Sequence, residues 1–171
     1  MSEYGAVIDA GSVRFERLLP GPIERVWEYL TDAELRGSWF ASGPLEPRVG
    51  GSVKLVFAHS KLAPPGEQAP ERHAGAEGYT TTGRVTQYEP PRLVAWTWDE
   101  TEVSFELEPM GDQVRLTLTH WRLPSRDELR SVSSGWHLHL AVLAERLRGE
   151  PLRPFWARID ALEREYAQRI P

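Results

Sequence analysis

The sequence predicts an α+β domain in which a curved, mostly antiparallel sheet wraps around one long closing helix. Three observations carry this. A Trp-bearing helical segment, IERVWEYLTDAELRGSWF (23–40), comes first; segments with period-two apolar patterning occupy 50–121; and an amphipathic segment, SSGWHLHLAVLAERLRGE (133–150), follows them. A short helical pair, a meander of strands and a closing helix must bury their apolar faces on one another. A sheet gripping a helix also leaves room for an apolar cavity.

Each element has its own signal. Residues 13–19, VRFERLL, alternate Val13 and Phe15 with Arg14 and Glu16, as in a half-buried strand. PGP at 20–22 stops it and sets Pro22 at the first turn of a helix. Val26, Trp27 and Leu30 then form a helical apolar stripe. Thr31 or Asp32 can cap a second short helix over 33–40, with Leu35, Trp39 and Phe40 turned inward. GGSVKLVFA (50–58) sets Val53, Leu55 and Phe57 on one face, and GYTTTGRVTQYEP (78–90) is a β-branched run ended by Pro-Pro. RLVAWTWDE (92–100), TEVSFELEP (101–109) and DQVRLTLTHW (112–121) follow, the last two joined by a hairpin break, PMGD. Val103, Phe105 and Leu107 oppose Glu102, Glu106 and Glu108 across one strand, so the sheet has one wet face. In the closing helix Trp136, Leu140, Leu143 and Leu147 form one stripe, ended by Gly149 and Pro151.

Two stretches fall outside this plan. Residues 59–77, HSKLAPPGEQAPERHAGAE, have no apolar period and are expected to be a flexible insertion; the alternative is a flap over a cavity mouth. Residues 150–171 are expected as a helical extension of the 1–149 domain, with Phe155, Ile159, Leu162 and Tyr166 on one side. Its Phe155, Trp156, Ile159 and Leu162 leave a homodimer open.

Composition excludes several functions. A chain of 171 residues suits one domain with a real core, and 40% hydrophobic with 26% charged residues is the balance of a soluble globular protein. A net charge of −5 without a Lys/Arg block argues against nucleic acid as a partner. Cysteine is absent, which excludes disulfides, thiolate metal sites and a Cys nucleophile. No apolar run approaches the roughly 20 residues of a membrane span, and MSEYGAVIDAGSV lacks the pattern of a signal peptide. No membrane insertion and a cytoplasmic location are therefore expected.

Taken together, RFERLLPGPIERVWEYLTDAELRGSWF, the GG at 50–51, GRVTQYEPPRLVAWTW (83–98), VRLTLTH (114–120) and GWHLHLAVLAERLRG (135–149) resemble the SRPBCC superfamily, also called START-like or birch-pollen-allergen-like. Within it the chain is most similar to the bacterial branch related to the activator of the heat-shock-protein-90 ATPase. The resemblance spans roughly residues 12–149 and implies a helix-grip fold with two short helices near the N-terminus. That superfamily includes lipid carriers, hormone receptors, cyclases and co-chaperone domains, so it implies a fold and not a chemistry. It supplies no catalytic motif to carry over.

The residues themselves point to a cavity before a reaction. There is no G-x-S-x-G, no phosphate-binding Gly loop and no H-E-x-x-H. His137 and His139 lie two apart, roughly 200° around a helix, so they cannot share a metal ion. No metal and no cofactor are expected. Alternation places His120 on the inner face with Leu116 and Leu118, either as a hydrogen-bonded core-edge residue or as a polar anchor or acid/base group. The expected ligand-binding set is Trp39, Phe57, Tyr79, Thr81, Val94, Trp96, Trp98, Phe105, Leu116, Leu118, His120, Trp136, Leu140 and Leu143. Three functions remain open: a binding protein for a hydrophobic or aromatic small molecule, a cyclase- or hydratase-type enzyme using His120, and a co-chaperone-like interaction module.

Overall fold

The computed structural model describes residues 2–171. Strands β1 (Ala6–Asp9) and β2 (Ser12–Pro20) form a hairpin, followed by helices α1 (Ile23–Thr31) and α2 (Ala33–Gly37). Strands β3 (Ala41–Ser42), β4 (Ser52–Phe57), β5 (Thr80–Glu89), β6 (Leu93–Trp98), β7 (Thr101–Met110) and β8 (Gln113–Trp121) complete one sheet. Helix α3 (Arg126–Leu147) fills its concave side, and α4 (Trp156–Arg169) packs on α3. The sheet order is β1-β2-β8-β7-β6-β5-β4-β3, every neighbouring pair antiparallel. This is the helix-grip arrangement, α+β as the alternation predicts.

Register brings the apolar faces together. Val103, Phe105 and Leu107 lie opposite His120, Leu118 and Leu116, so both strands turn the same face to α3. Trp136, Leu140, Leu143 and Leu147 meet that face, all buried. The sheet bends at β5. A bulge at Thr86 interrupts its pairing with β6, and a Cβ on Gly83 would stand 1.9 Å from the Thr97 carbonyl oxygen. Only glycine permits that approach.

The first helical pair rests on a buried cation. Asp32 ends α1 and caps α2, its carboxylate accepting from the Glu34 and Leu35 amides at 3.0 and 2.9 Å. Arg36, rather than Leu35, is the side chain that α2 buries. Its guanidinium donates to the carbonyls of Ala41 (3.0 Å), Leu30 and Thr31 (both 3.4 Å), and Gly43. It thereby satisfies carbonyls at the end of α1, in β3 and just after it, which have no helical partner. Burial pushes its pKa down to about 10, against the opposing pull of Asp32, so it remains charged at neutral pH.

Helix α3 starts at Arg126, earlier than the apolar stripe suggests. Ser125 accepts from the Glu128 amide at 3.1 Å, the first half of a capping box. Gly149, at φ +70°, ends it.

The 59–77 segment is tied to α4. It contains short 3₁₀ turns at His59–Lys61 and Glu71–Ala76. The Glu67 carboxylate accepts from the backbone amides of Phe155 (2.6 Å) and Ala157 (3.1 Å), capping the start of α4 from another part of the chain. Arg72 pairs with Asp160 and Glu163. The apolar side of α4 is spent within the protomer: Phe155, Trp156, Ile159 and Tyr166 are all buried. Among the described residues, no helix is long and apolar enough to cross a membrane.

Two stability outcomes follow from these contacts. Arg36→Leu leaves buried carbonyls without a donor and is expected to lower the unfolding free energy by about 3–5 kcal/mol in urea titration. Arg36→Lys, whose ammonium cannot reproduce the fork, recovers only part of it. Glu67→Ala costs about 1 kcal/mol, appearing in hydrogen exchange as faster exchange of the first-turn amides of α4 while the β7–β8 amides stay protected.

A candidate ligand-binding cavity

A cavity of about 530 Å³ opens at one end of the grip. This lies within the range of small-molecule sites, about 300–1,000 Å³. Three structural features converge there. The β6–β7 turn supplies Trp98 to Thr101, and the end of β8 with its following loop supplies His120 and Arg122 to Pro124. Helix α3 contributes Glu128, Ser131, Val132, Gly135, Trp136 and His139. Phe40, Phe57, His59 and Tyr79 close the opposite wall.

The wall is largely aromatic. Trp136 packs on Phe40 with ring centroids 4.7 Å apart, and Trp98 stacks on Phe57 at 5.6 Å. Trp98 and Trp136 meet edge to face at 6.1 Å, forming a corner of two indoles. Such offset and T-shaped contacts are favoured because ring edges are positive and faces negative.

Hydrogen bonding fixes the protonation of His120. The Trp136 indole N–H, which can only donate, reaches His120 Nδ1 at 2.9 Å. His120 must therefore carry its hydrogen on Nε2, and it donates that hydrogen to Thr101 Oγ1 at 2.8 Å. The Thr101 hydroxyl in turn donates to the Trp98 carbonyl at 2.6 Å. Burial, with a smaller push from Arg122, lowers the His120 pKa to about 4. The ring is neutral at pH 7 and both nitrogens are engaged, so it has no free lone pair with which to act as a base.

His139 is arranged differently. Its Nδ1–H donates to the Trp39 carbonyl at 2.8 Å, which leaves Nε2 as a lone-pair acceptor without a partner among the described residues. Burial is the main reason its pKa falls to about 3. His59 stacks on Phe155 at 5.4 Å, and both its ring nitrogens are buried without partners among the described residues. Burial also lowers its pKa.

Of the residues expected to bind ligand, the cavity wall contains Phe57, Tyr79, Trp98, His120 and Trp136. Trp39, Val94, Trp96, Phe105, Leu116, Leu118 and Leu143 lie instead in the solid core, off that wall. The reason is volume. Phe105 packs on Trp96 at 5.1 Å and on Trp39 at 6.4 Å, and these three rings fill the middle of the grip. Leu140 is buried off the cavity wall, and Thr81 pairs with Leu55 away from it. Sequence reasoning missed Phe40, His59, Asp99, Glu100, Arg122, Glu128, Gly135 and His139. His139 was findable, since it follows Trp136 by three on the same helical face.

His137 and His139 have different partners, the Tyr166 hydroxyl and the Trp39 carbonyl. Among the described residues, His73, Asp160 and Glu163 bring potential metal-ligand atoms within 4.8 Å of one another. The Arg72 guanidinium already occupies the cation position between the two carboxylates.

Comparison with known proteins agrees with the architecture. A family model described as activator of Hsp90 ATPase homolog 1-like protein matches residues 20–148. A solution structure of a Bordetella parapertussis protein is 46% identical, covering 97% of this chain and 90% of that one, with a TM-score of 0.82. The crystal structure of CalU16 from Micromonospora echinospora is 25% identical over 98% of this chain and 94% of its own, with a TM-score of 0.67. A conserved Enterococcus faecalis protein of unknown function, 16% identical over 96% and 88% of the two chains with a TM-score of 0.73, shares the fold. No curated protein matches the chain.

The buried neutral histidines give a pH signature. His120 and His137 are lowered to about 4, and His139 to about 3, all below the ordinary 6.5. A His whose folded pKa is depressed contributes stability in full above about 6.5 and loses it as pH falls toward the folded value. Urea midpoints should drop between pH 6.5 and 5, where carboxylates still hold their charge. The slope should reach at most about 1.4 kcal/mol per pH unit for each histidine, and His120→Gln should lower it by that one histidine's share. A flat profile in the unsubstituted protein would show that these rings are not buried neutral.

Proposed function

The chain belongs to the activator of Hsp90 ATPase homolog 1-like family, and from that premise we propose that it binds a small, apolar, ring-bearing molecule in the cavity at the end of the grip. The observation that carries this reading is Gly135. It sits inside α3, where glycine costs about 1 kcal/mol against alanine. A Cβ there would meet nothing within 4 Å, so packing does not require the glycine. What Gly135 does is line the cavity. A helix that gives up stability at this position keeps space open beside Trp136.

The wall supports the same conclusion. Indole and phenyl faces offer contact area for a ring system, while Ser131, Tyr79 and His139 offer a few polar contacts that fix orientation. An acid/base role for His120 is the weaker reading, because the Trp136 and Thr101 hydrogen bonds engage both nitrogens. A co-chaperone role has less support still: the apolar residues of the C-terminal tail are covered by the protein's own core.

Native mass spectrometry of freshly purified protein, followed by denaturing extraction, tests this. Bound mass that leaves on denaturation is expected. Gly135→Leu should carry none and should melt no lower than the unsubstituted protein, since leucine is the better helix former and enters open space. Gly135→Ala should raise Tm by about 2–4 °C. An adduct retained undiminished by Gly135→Leu would place the ligand elsewhere.

A further inference from the structure

The polar groups fixed around the cavity are biased toward acceptors. At the end where the β6–β7 turn meets the start of α3, Asp99, Glu100 and Glu128 line the opening, and none of the three carboxylates has an ion-pair partner among the described residues. The one cationic side chain on that rim, Arg122, is committed: it donates to the Glu100 carbonyl and pairs with Glu102 at 3.4 Å, outside the cavity wall. At the other end stands His139, only 7% exposed, its Nδ1–H spent on Trp39 and its Nε2 lone pair without a partner among the described residues. Glu128 and His139 are eleven residues apart on α3, about 16 Å along the axis, so acceptors mark both ends. Between them lie aromatic rings, whose faces are negative.

Two of the cavity's donors are used internally, and those left to a ligand, the Tyr79 and Ser131 hydroxyls and one ring N–H of His59, are uncharged. Trp136 N–H goes to His120, and His120 N–H goes to Thr101. Aromatic faces, free carboxylates and a neutral imidazole lone pair all favour positive charge or a hydrogen donor, and all oppose an anion. A carboxylate head would meet like charge at the rim, and among the described residues no cationic side chain stands at the inner end by His139 to balance it. The chain's net charge of −5 works in the same direction over a longer range.

We propose that the ligand is an aromatic or apolar amine bound as its cation, with the ammonium at the rim that Asp99, Glu100 and Glu128 line and the apolar body against Trp98 and Trp136. This rests on the cavity being a ligand site and adds the sign of the ligand's charge. The same rim disfavours anionic amphiphiles such as fatty acids.

A matched series separates the two claims. Calorimetric titration with 1-naphthylmethylamine, 1-naphthylmethanol and 1-naphthoate keeps the ring system and changes only the head. The amine is expected to bind at least ten-fold more tightly than the alcohol, with the carboxylate weakest. That advantage should shrink as salt is raised, since rim charges are screened. Asp99→Asn with Glu128→Gln should cut the amine's advantage over the alcohol at least three-fold, and Gly135→Leu should abolish binding of all three. If the alcohol or carboxylate binds as well as the amine, the charge assignment is wrong while the container stands. If none of the three binds, or Gly135→Leu binds them unchanged, the ligand-site reading falls and takes this inference with it.

Discussion

Trp136 is the contact on which the grip and its cavity both depend. Its ring touches Phe105 at 5.7 Å on the core side and Phe40 at 4.7 Å and Trp98 at 6.1 Å on the cavity side. Its N–H fixes the tautomer of His120, which fixes Thr101, which in turn holds the β6–β7 turn through the Trp98 carbonyl. One side chain from the helix therefore sets the spacing between helix and sheet, and also the shape of the turn that forms the cavity's rim. A buried polar chain of this kind specifies geometry only because every member is satisfied. Protonating His120 would set a ring N–H against the indole N–H, which is why a neutral ring belongs there.

Where the solid core stops is a matter of side-chain volume. Trp39, Trp96 and Phe105 fill the centre, while Gly135, Ser131 and the short β6–β7 turn leave the end open. The sequence marks which residues turn inward, because period two and period 3.6 record burial directly. It does not mark where inward-facing residues fail to fill the space between them, since that depends on how elements distant in the chain meet. Hence Phe105, Leu116 and Leu118 read as interior from their alternation, and they lie in the packed core rather than on this cavity's wall. Gly135 is the exception, because a glycine inside an otherwise regular helix is itself a sign that something other than helix stability is at stake.

The fold was legible where local chemistry and tertiary packing agree. Strands β7 and β8 show this: their alternation, hairpin break and register all give the same inward face. Legibility failed where only tertiary partners make a residue sensible. Leu35 has the composition of a core residue, yet Arg36 is the one buried, because the carbonyls of Leu30, Thr31, Ala41 and Gly43 converge on its guanidinium. The start of α3 is a different kind of miss. Ser125 and Glu128 spell a capping spacing, but the first turn is polar and no apolar stripe draws attention to it. Strand β1 has four exposed residues and pairs with β2 at the edge of the sheet, so burial leaves no periodic trace there.

The segments that looked peripheral turn out to support the cavity. His59 lines its wall and stacks on Phe155, and the Phe155 amide is held by Glu67 from the same segment as His59. Arg72 and His73 fasten that segment to Glu163, with His73 also stacked on Trp156. Helix α4 thus holds one wall in place without itself lining the cavity, much as α3 holds the other through Trp136. The rim is different: Asp99, Glu100 and Arg122 lie in loops, where residues can change without disturbing the packed sheet. A shared grip with a rim built mostly from loops lets the charge at the cavity mouth change while the packed core stays the same.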